Sequence, residues 1–122
     1  MTEYYGSCHC KEVKFSFSTN EILGELYKCN CTLCLKKAII MKPLQKDKFK
    51  LLSGHNYLET YQWNKKIAKH FFCKTCGIYT HHNPRSNPKM TGFNVGCVDD
   101  IDSFNLKSIV VNDGQNHPLD KK

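Results

Sequence analysis

The feature that most constrains this chain is the placement of its eight cysteines. Cys8-x-Cys10, Cys29-x-Cys31-x-x-Cys34 and Cys73-x-x-Cys76 form three tight clusters, and only Cys97 stands alone. Residues two apart on a strand would close a strained disulfide ring, whereas a metal ion is gripped well by near neighbours. The opening residues MTEYYGSCHC carry neither a basic n-region nor an apolar h-region, so a reducing, cytoplasmic setting is expected. Thiols stay reduced there, and clustered thiols then point to metal binding.

Alternate residues of a strand project to one face, so Cys8 with Cys10, and Cys29 with Cys31, are expected to grip a metal from extended backbone. The loop FCKTCG at 72–77 curls Cys73 and Cys76 together, with Gly77 permitting the tight backbone. These three grips serve at most two ions. The economical partition joins Cys8 and Cys10 to Cys73 and Cys76 as a closed four-thiolate site and leaves Cys29, Cys31 and Cys34 as a three-thiolate site. Closed tetrahedral sites are structural, while catalytic zinc keeps an exchangeable position. Spacing alone also admits a grouping of Cys29 and Cys31 with Cys73 and Cys76. It equally admits a second structural zinc, in which the trio is closed by a histidine, by Cys97 or by another chain.

Cys97 shares an alternating face with Phe93 and Val95 and reads as a small buried hydrophobe. His70, three residues before Cys73, is the best candidate for a fourth ligand or proton carrier, weighed against a solvated strand histidine. His81 and His82 are consecutive, so only one of them faces a given site. His9 points away from Cys8 and Cys10 if that stretch is extended. The aromatic set Tyr57, Tyr61 and Trp63 reads as core or sheet surface rather than a ligand platform.

Strand signals dominate the rest: VKFSF at 13–17, AIIM at 38–41 closed by Pro43, FKLLSG at 49–54, YLETYQW at 57–63 turning through Asn64 and Lys65 into IAKHFF at 67–72, GIYTHH after Cys76, TGFNVGCV at 91–98 and SIVV at 108–111. Helical periodicity is weak, with one short turn in DDIDSFNL at 99–106. An all-β domain of about eight or more short strands follows, spanning 1–115, with 116–122 as a polar tail. The 122 residues suit one small domain, and no apolar run approaches the roughly 18 residues of a membrane span. The formal charge of +7 counts every thiol as neutral; seven bound thiolates remove seven charges and two zinc ions return four, leaving +4. Only Arg85 among the 18 basic residues is arginine, which argues against nucleic acid and suits a small anionic ligand.

GSCHCKEVKF at 6–15, CNCTLC at 29–34, HFFCKTCG at 70–77 and FNVGCVDDID at 93–102 resemble, in order and spacing, the four motifs of the glutathione-dependent formaldehyde-activating enzyme family, which also contains centromere protein V. The resemblance implies a β-tent fold of antiparallel sheets stapled by zinc, with two zinc ions. It implies a structural zinc on Cys8, Cys10, Cys73 and Cys76 and a catalytic one on Cys29, Cys31 and Cys34. It also implies a carbon–sulfur lyase activity that promotes formation of S-hydroxymethylglutathione from formaldehyde and glutathione in a detoxification route. Glutathione is then a candidate cosubstrate, and a small thiol or aldehyde the partner. A non-catalytic zinc module for protein or nucleic-acid binding is the alternative. Two positions depart from the family pattern: Leu35 stands where arginine often follows the third cysteine of the trio, and Lys11 stands where the first motif usually has glycine.

Overall fold

In this computed structural model, described for residues 2–21, 24, 26–63, 65–84, 87, 89–106 and 109–113, the chain forms ten strands and one short helix. In chain order they are β1 (Thr2–Ser7), β2 (Lys14–Thr19), β3 (Tyr27–Cys29), α1 (Thr32–Lys37), β4 (Met41–Gln45), β5 (Phe49–Ser53), β6 (Leu58–Tyr61), β7 (Lys69–Cys73), β8 (Tyr79–Asn83), β9 (Met90–Asn94) and β10 (Val110–Asn112). The tail at 116–122, Asn64 of the expected hairpin turn and Ser108 of the late strand lie outside the described residues.

The alternation in VKFSF becomes the centre of a three-stranded sheet in the order β1-β2-β5. The other seven strands form a second sheet in the order β10-β3-β4-β9-β8-β7-β6. All pairings are antiparallel except β10 with β3, which is parallel, so the second sheet is mixed rather than wholly antiparallel. The two sheets face each other through aromatic rings. Phe17 of β2 stacks on Phe93 of β9 at 4.1 Å, and Phe15 lies 6.2 Å from the same ring. Leu26, Leu44, Val95, Cys97 and Val98 complete this core. Each fully buried phenylalanine contributes about 1.5–3 kcal/mol, so these rings are a large part of what holds the sheets together.

The seven-stranded sheet has two unlike faces. Phe93 and Leu44 point into the inter-sheet core, whereas their neighbours Met41, Pro43, Met90 and Gly92 line a cavity on the other face. One-residue alternation along β4 and β9 thus separates core from site.

Three local expectations are corrected. The strand placed at AIIM begins only at Met41 and runs through Pro43, because Ala38 ends α1 in a left-handed conformation with φ 52°. Proline is tolerated there because β3 pairs with β4 only at Met41, which leaves the rest of that flank of β4 without a ladder partner among the described residues. The trio segment is not an extended grip: Cys29 ends β3, Cys31 caps α1, and Cys34 sits within it. A six-residue helix is too short to show periodicity. Cys8 and Cys10 likewise lie in the turn between β1 and β2 and not on a strand. The short turn expected in DDIDSFNL is present as a 3-10 helix at Ser103–Asn105. No helix among the described residues is long and apolar enough to cross a membrane.

Candidate functional site

The sulfurs converge into two groups, Cys8 with Cys10, Cys73 and Cys76, and Cys29 with Cys31 and Cys34, each with its Sγ atoms within 4.8 Å of one another. The competing grouping of Cys29 and Cys31 with Cys73 and Cys76 is not formed. Cys97 joins neither group; it is buried, its Sγ donates to the Tyr79 carbonyl at 3.6 Å, and burial pushes its thiol up to about 12.

The four-sulfur group is built by two hairpin turns. In the first, the Cys8 and Lys11 amides donate to Val13 O at 3.0 Å and to Cys8 O at 3.2 Å, and the Val13 amide donates to Cys8 Sγ at 3.4 Å. Lys11 takes φ 66°, the left-handed region in which glycine is at ease and a lysine is strained. That is a physical reason for glycine at this position in the family motif. In the second turn the Gly77 amide donates to Cys73 O at 2.7 Å, with Gly77 at φ 79°. Cys8 and Cys73 are buried with Val13, and Leu51, Leu58 and Ile78 pack around them. The Cys8–Cys10 and Cys10–Cys73 sulfurs stand 3.6 and 3.7 Å apart. A tetrahedron with Zn–S near 2.3 Å has S···S edges of about 3.8 Å, so the donor set fits zinc. One turn belongs to the three-stranded sheet and the other to the seven-stranded sheet.

The trio comes from a single short segment. The Cys34 amide donates to Cys31 Sγ at 3.4 Å. Hydrogen bonds from the Cys29 and Cys34 thiols hold Cys31 far below the usual thiol range; the contact with Cys29 and then that with Cys31 push Cys34 up, and the contact with Cys31 pushes Cys29 up. A site where the first thiolate forms readily and opposes the next two lacks positive charge, which a divalent cation supplies. The trio therefore also fits a metal.

All three trio cysteines line a cavity of ≈ 530 Å³, within the usual range for small-molecule sites. Its wall includes Trp63 and Ile67, the basic pair Lys65 and Lys66, and the two histidines His70 and His82. His70 is buried, which corrects the reading of a solvated strand histidine. Of the consecutive pair, His82 lines the cavity, while His81 stacks on Phe71 at 4.6 Å and lies 4.9 Å from Phe49. Burial lowers His81 to about 4; burial, reinforced by His70, lowers His82 to about 3.

Tyr79, which no sequence signal singled out, bridges the two cavity histidines. Its hydroxyl lies 2.6 Å from His70 Nδ1 and 2.8 Å from His82 Nδ1. Strict alternation sets residues 79 and 82 on opposite faces. The register of β7 with β8 slips, however, with Phe71 opposite His81 and Phe72 opposite Tyr79. The extra residue, Thr80, is a bulge that reverses the alternation and brings the phenol beside His82. Trp63, read as core or sheet surface rather than a ligand platform, lines the cavity. Leu35 is exposed and lies outside the cavity lining.

The model of the glutathione-dependent formaldehyde-activating enzyme family matches residues 3–111. The chain belongs to that family. A crystal structure of a Rhodobacter sphaeroides protein, solved in a structural genomics programme, is similar to this family member with a TM-score of 0.84 and 31% sequence identity, over 88% of this chain and 99% of that one.

Proposed function

We propose that this family member is a zinc-dependent enzyme of the carbon–sulfur lyase type. It makes and breaks thiol–aldehyde adducts, S-hydroxymethylglutathione or a related one, in the cavity beside Cys29, Cys31 and Cys34. The observation that carries the reading is the convergence of three sulfurs on the wall of a small-molecule cavity, while four others converge where the two sheets meet.

In this reading Cys8, Cys10, Cys73 and Cys76 hold a structural zinc, and Cys29, Cys31 and Cys34 hold an exchangeable one. Zinc at the trio favours thiolate over thiol and polarises a carbonyl oxygen. The chain's own groups do the rest. Lys65 and Lys66 on the wall attract an anionic thiol such as glutathione. Trp63, Ile67, Met41 and Met90 give the cavity an apolar lining that limits water around the reacting carbon. His82 remains neutral at physiological pH, and a neutral imidazole can both take and give a proton. The reading requires a reducing compartment such as the cytoplasm, where all eight thiols persist.

The test is the rate of adduct formation from formaldehyde and glutathione, followed by NMR with zinc-loaded protein and then with other thiols in place of glutathione. Acceleration above the uncatalysed rate that disappears in Cys31→Ala is expected. No acceleration with any thiol, together with a salt-dependent shift on nucleic acid, would favour the binding-module alternative.

A further inference from the structure

His70 and His82 are directly paired residues of β7 and β8, both line the trio cavity, and the Tyr79 hydroxyl touches Nδ1 of each. A phenol carries one proton, so it donates to one Nδ1 and accepts from the other. A neutral imidazole has one N–H. The histidine that donates from Nδ1 therefore has its lone pair at Nε2, and the one that accepts at Nδ1 carries its proton at Nε2. With both rings neutral, the two short contacts are satisfied together only when the histidines hold opposite tautomers.

Other features suit proton transfer along this chain of groups. His70 and Tyr79 also line a second hollow of ≈ 270 Å³, together with Lys37 and Tyr61, so the chain runs from one cavity to another. Lys37 Nζ stands 5.0 Å from the centre of the Tyr79 ring, a cation–π contact that holds the ring in place. Burial and then the trio thiols push the phenol well above its usual range, so Tyr79 gives up one proton only as it gains another. Gly92 makes the room for His82, since a β-carbon there would lie 2.6 Å from its Nε2.

We propose that His82, Tyr79 and His70 form a two-state proton relay from the trio cavity to the second hollow. It takes up the proton of an incoming thiol and returns one to the oxygen of the adduct. The proposal rests on the thiol–aldehyde reading for its substrate but not for its tautomers. When the thiol proton arrives at His82 Nε2, the His82 Nδ1 proton moves to the Tyr79 oxygen and the Tyr79 proton moves to His70 Nδ1. The His70 Nε2 proton passes to solvent water in the second hollow, which His70 lines, and the same water returns a proton when the shifts reverse. When the sulfur has bonded to the carbonyl carbon and the C=O π bond has opened, the shifts reverse and His82 Nε2 delivers a proton to oxygen. The S–H bond is lost, S–C and O–H bonds are made, both tautomers return to their starting state, and nothing is oxidised or reduced.

Nitrogen-15 NMR of the histidine rings in zinc-loaded protein, without substrate, tests the relay. Opposite tautomers at His70 and His82 are expected in the unaltered chain, and the same tautomer at both would overturn the proposal. Tyr79→Phe keeps the ring and removes the bridge. It is expected to abolish the enforced pairing, retain both zinc ions, and lower kcat on the order of 10²-fold with KM changed by less than about 2-fold. Opposite tautomers surviving in Tyr79→Phe would likewise overturn it. Because the tautomers are read without substrate, a failed thiol–aldehyde assay leaves them standing, and failed tautomer pairing leaves that assay standing.

Discussion

The two cysteine groups use the same donor atom and differ in what they connect. Cys8 and Cys10 belong to the turn of the three-stranded sheet, Cys73 and Cys76 to a turn of the seven-stranded sheet, so a metal bound there cross-links the halves of the molecule. Cys29, Cys31 and Cys34 come from the end of β3 and the start of α1, at most five residues apart in sequence, and a metal there joins nothing distant. The first group has apolar packing around it, with Val13 and Leu58 among its neighbours. The second opens on a cavity with lysines and histidines. Ligand count alone hints at closed and open sites; the connectivity is the physical basis for proposing that the first is structural and the second open to chemistry.

The largest test of this contrast is Cys73→Ala. Structural zinc contributes about 10–16 kcal/mol in small zinc domains, as much as the whole 5–15 kcal/mol stability of a typical domain. Loss of the cooperative thermal transition is expected, read by circular dichroism. Cys34→Ala should instead lose one zinc and all adduct-forming activity, stay folded, and cost about 2 kcal/mol of stability by denaturant titration. If it unfolds as badly as Cys73→Ala, the two groups are not different in kind. Gly92→Ala presses on His82 Nε2 and touches neither group. It is expected to keep full zinc content while lowering turnover on the order of 10-fold. Lys11→Gly relieves the positive φ beside the four-cysteine group and should raise stability by about 1 kcal/mol with activity unchanged. A change in activity would couple the two sites.

Much of this was legible in the cysteine spacing and the strand alternation. KFSF became part of β2 with Phe15 and Phe17 buried, Val13 is buried just before it, and the sulfurs grouped as the economical partition had them. What escaped was short-range geometry. The trio sits on a strand-to-helix turn, and α1 has six residues, too few for a periodic signal. The Lys11 turn shows how backbone conformation can hide in a motif: glycine there signals positive φ, and lysine conceals it. Tyr79 was invisible because alternation puts it on the wrong face, and only the bulge at Thr80 corrects that. The cavity itself gathers Tyr27, Met41, Met90 and His82 from four strands, and sheet order is not written in any local stretch.

The most direct measurement is a crystal structure of the zinc-loaded protein with anomalous data at the zinc edge. Two peaks are expected, one bound by Sγ of Cys8, Cys10, Cys73 and Cys76, the other by Sγ of Cys29, Cys31 and Cys34 with its fourth position filled by an exchangeable donor facing the cavity. A single peak, or a second zinc closed by a fourth protein ligand, would contradict the division into one structural and one open site.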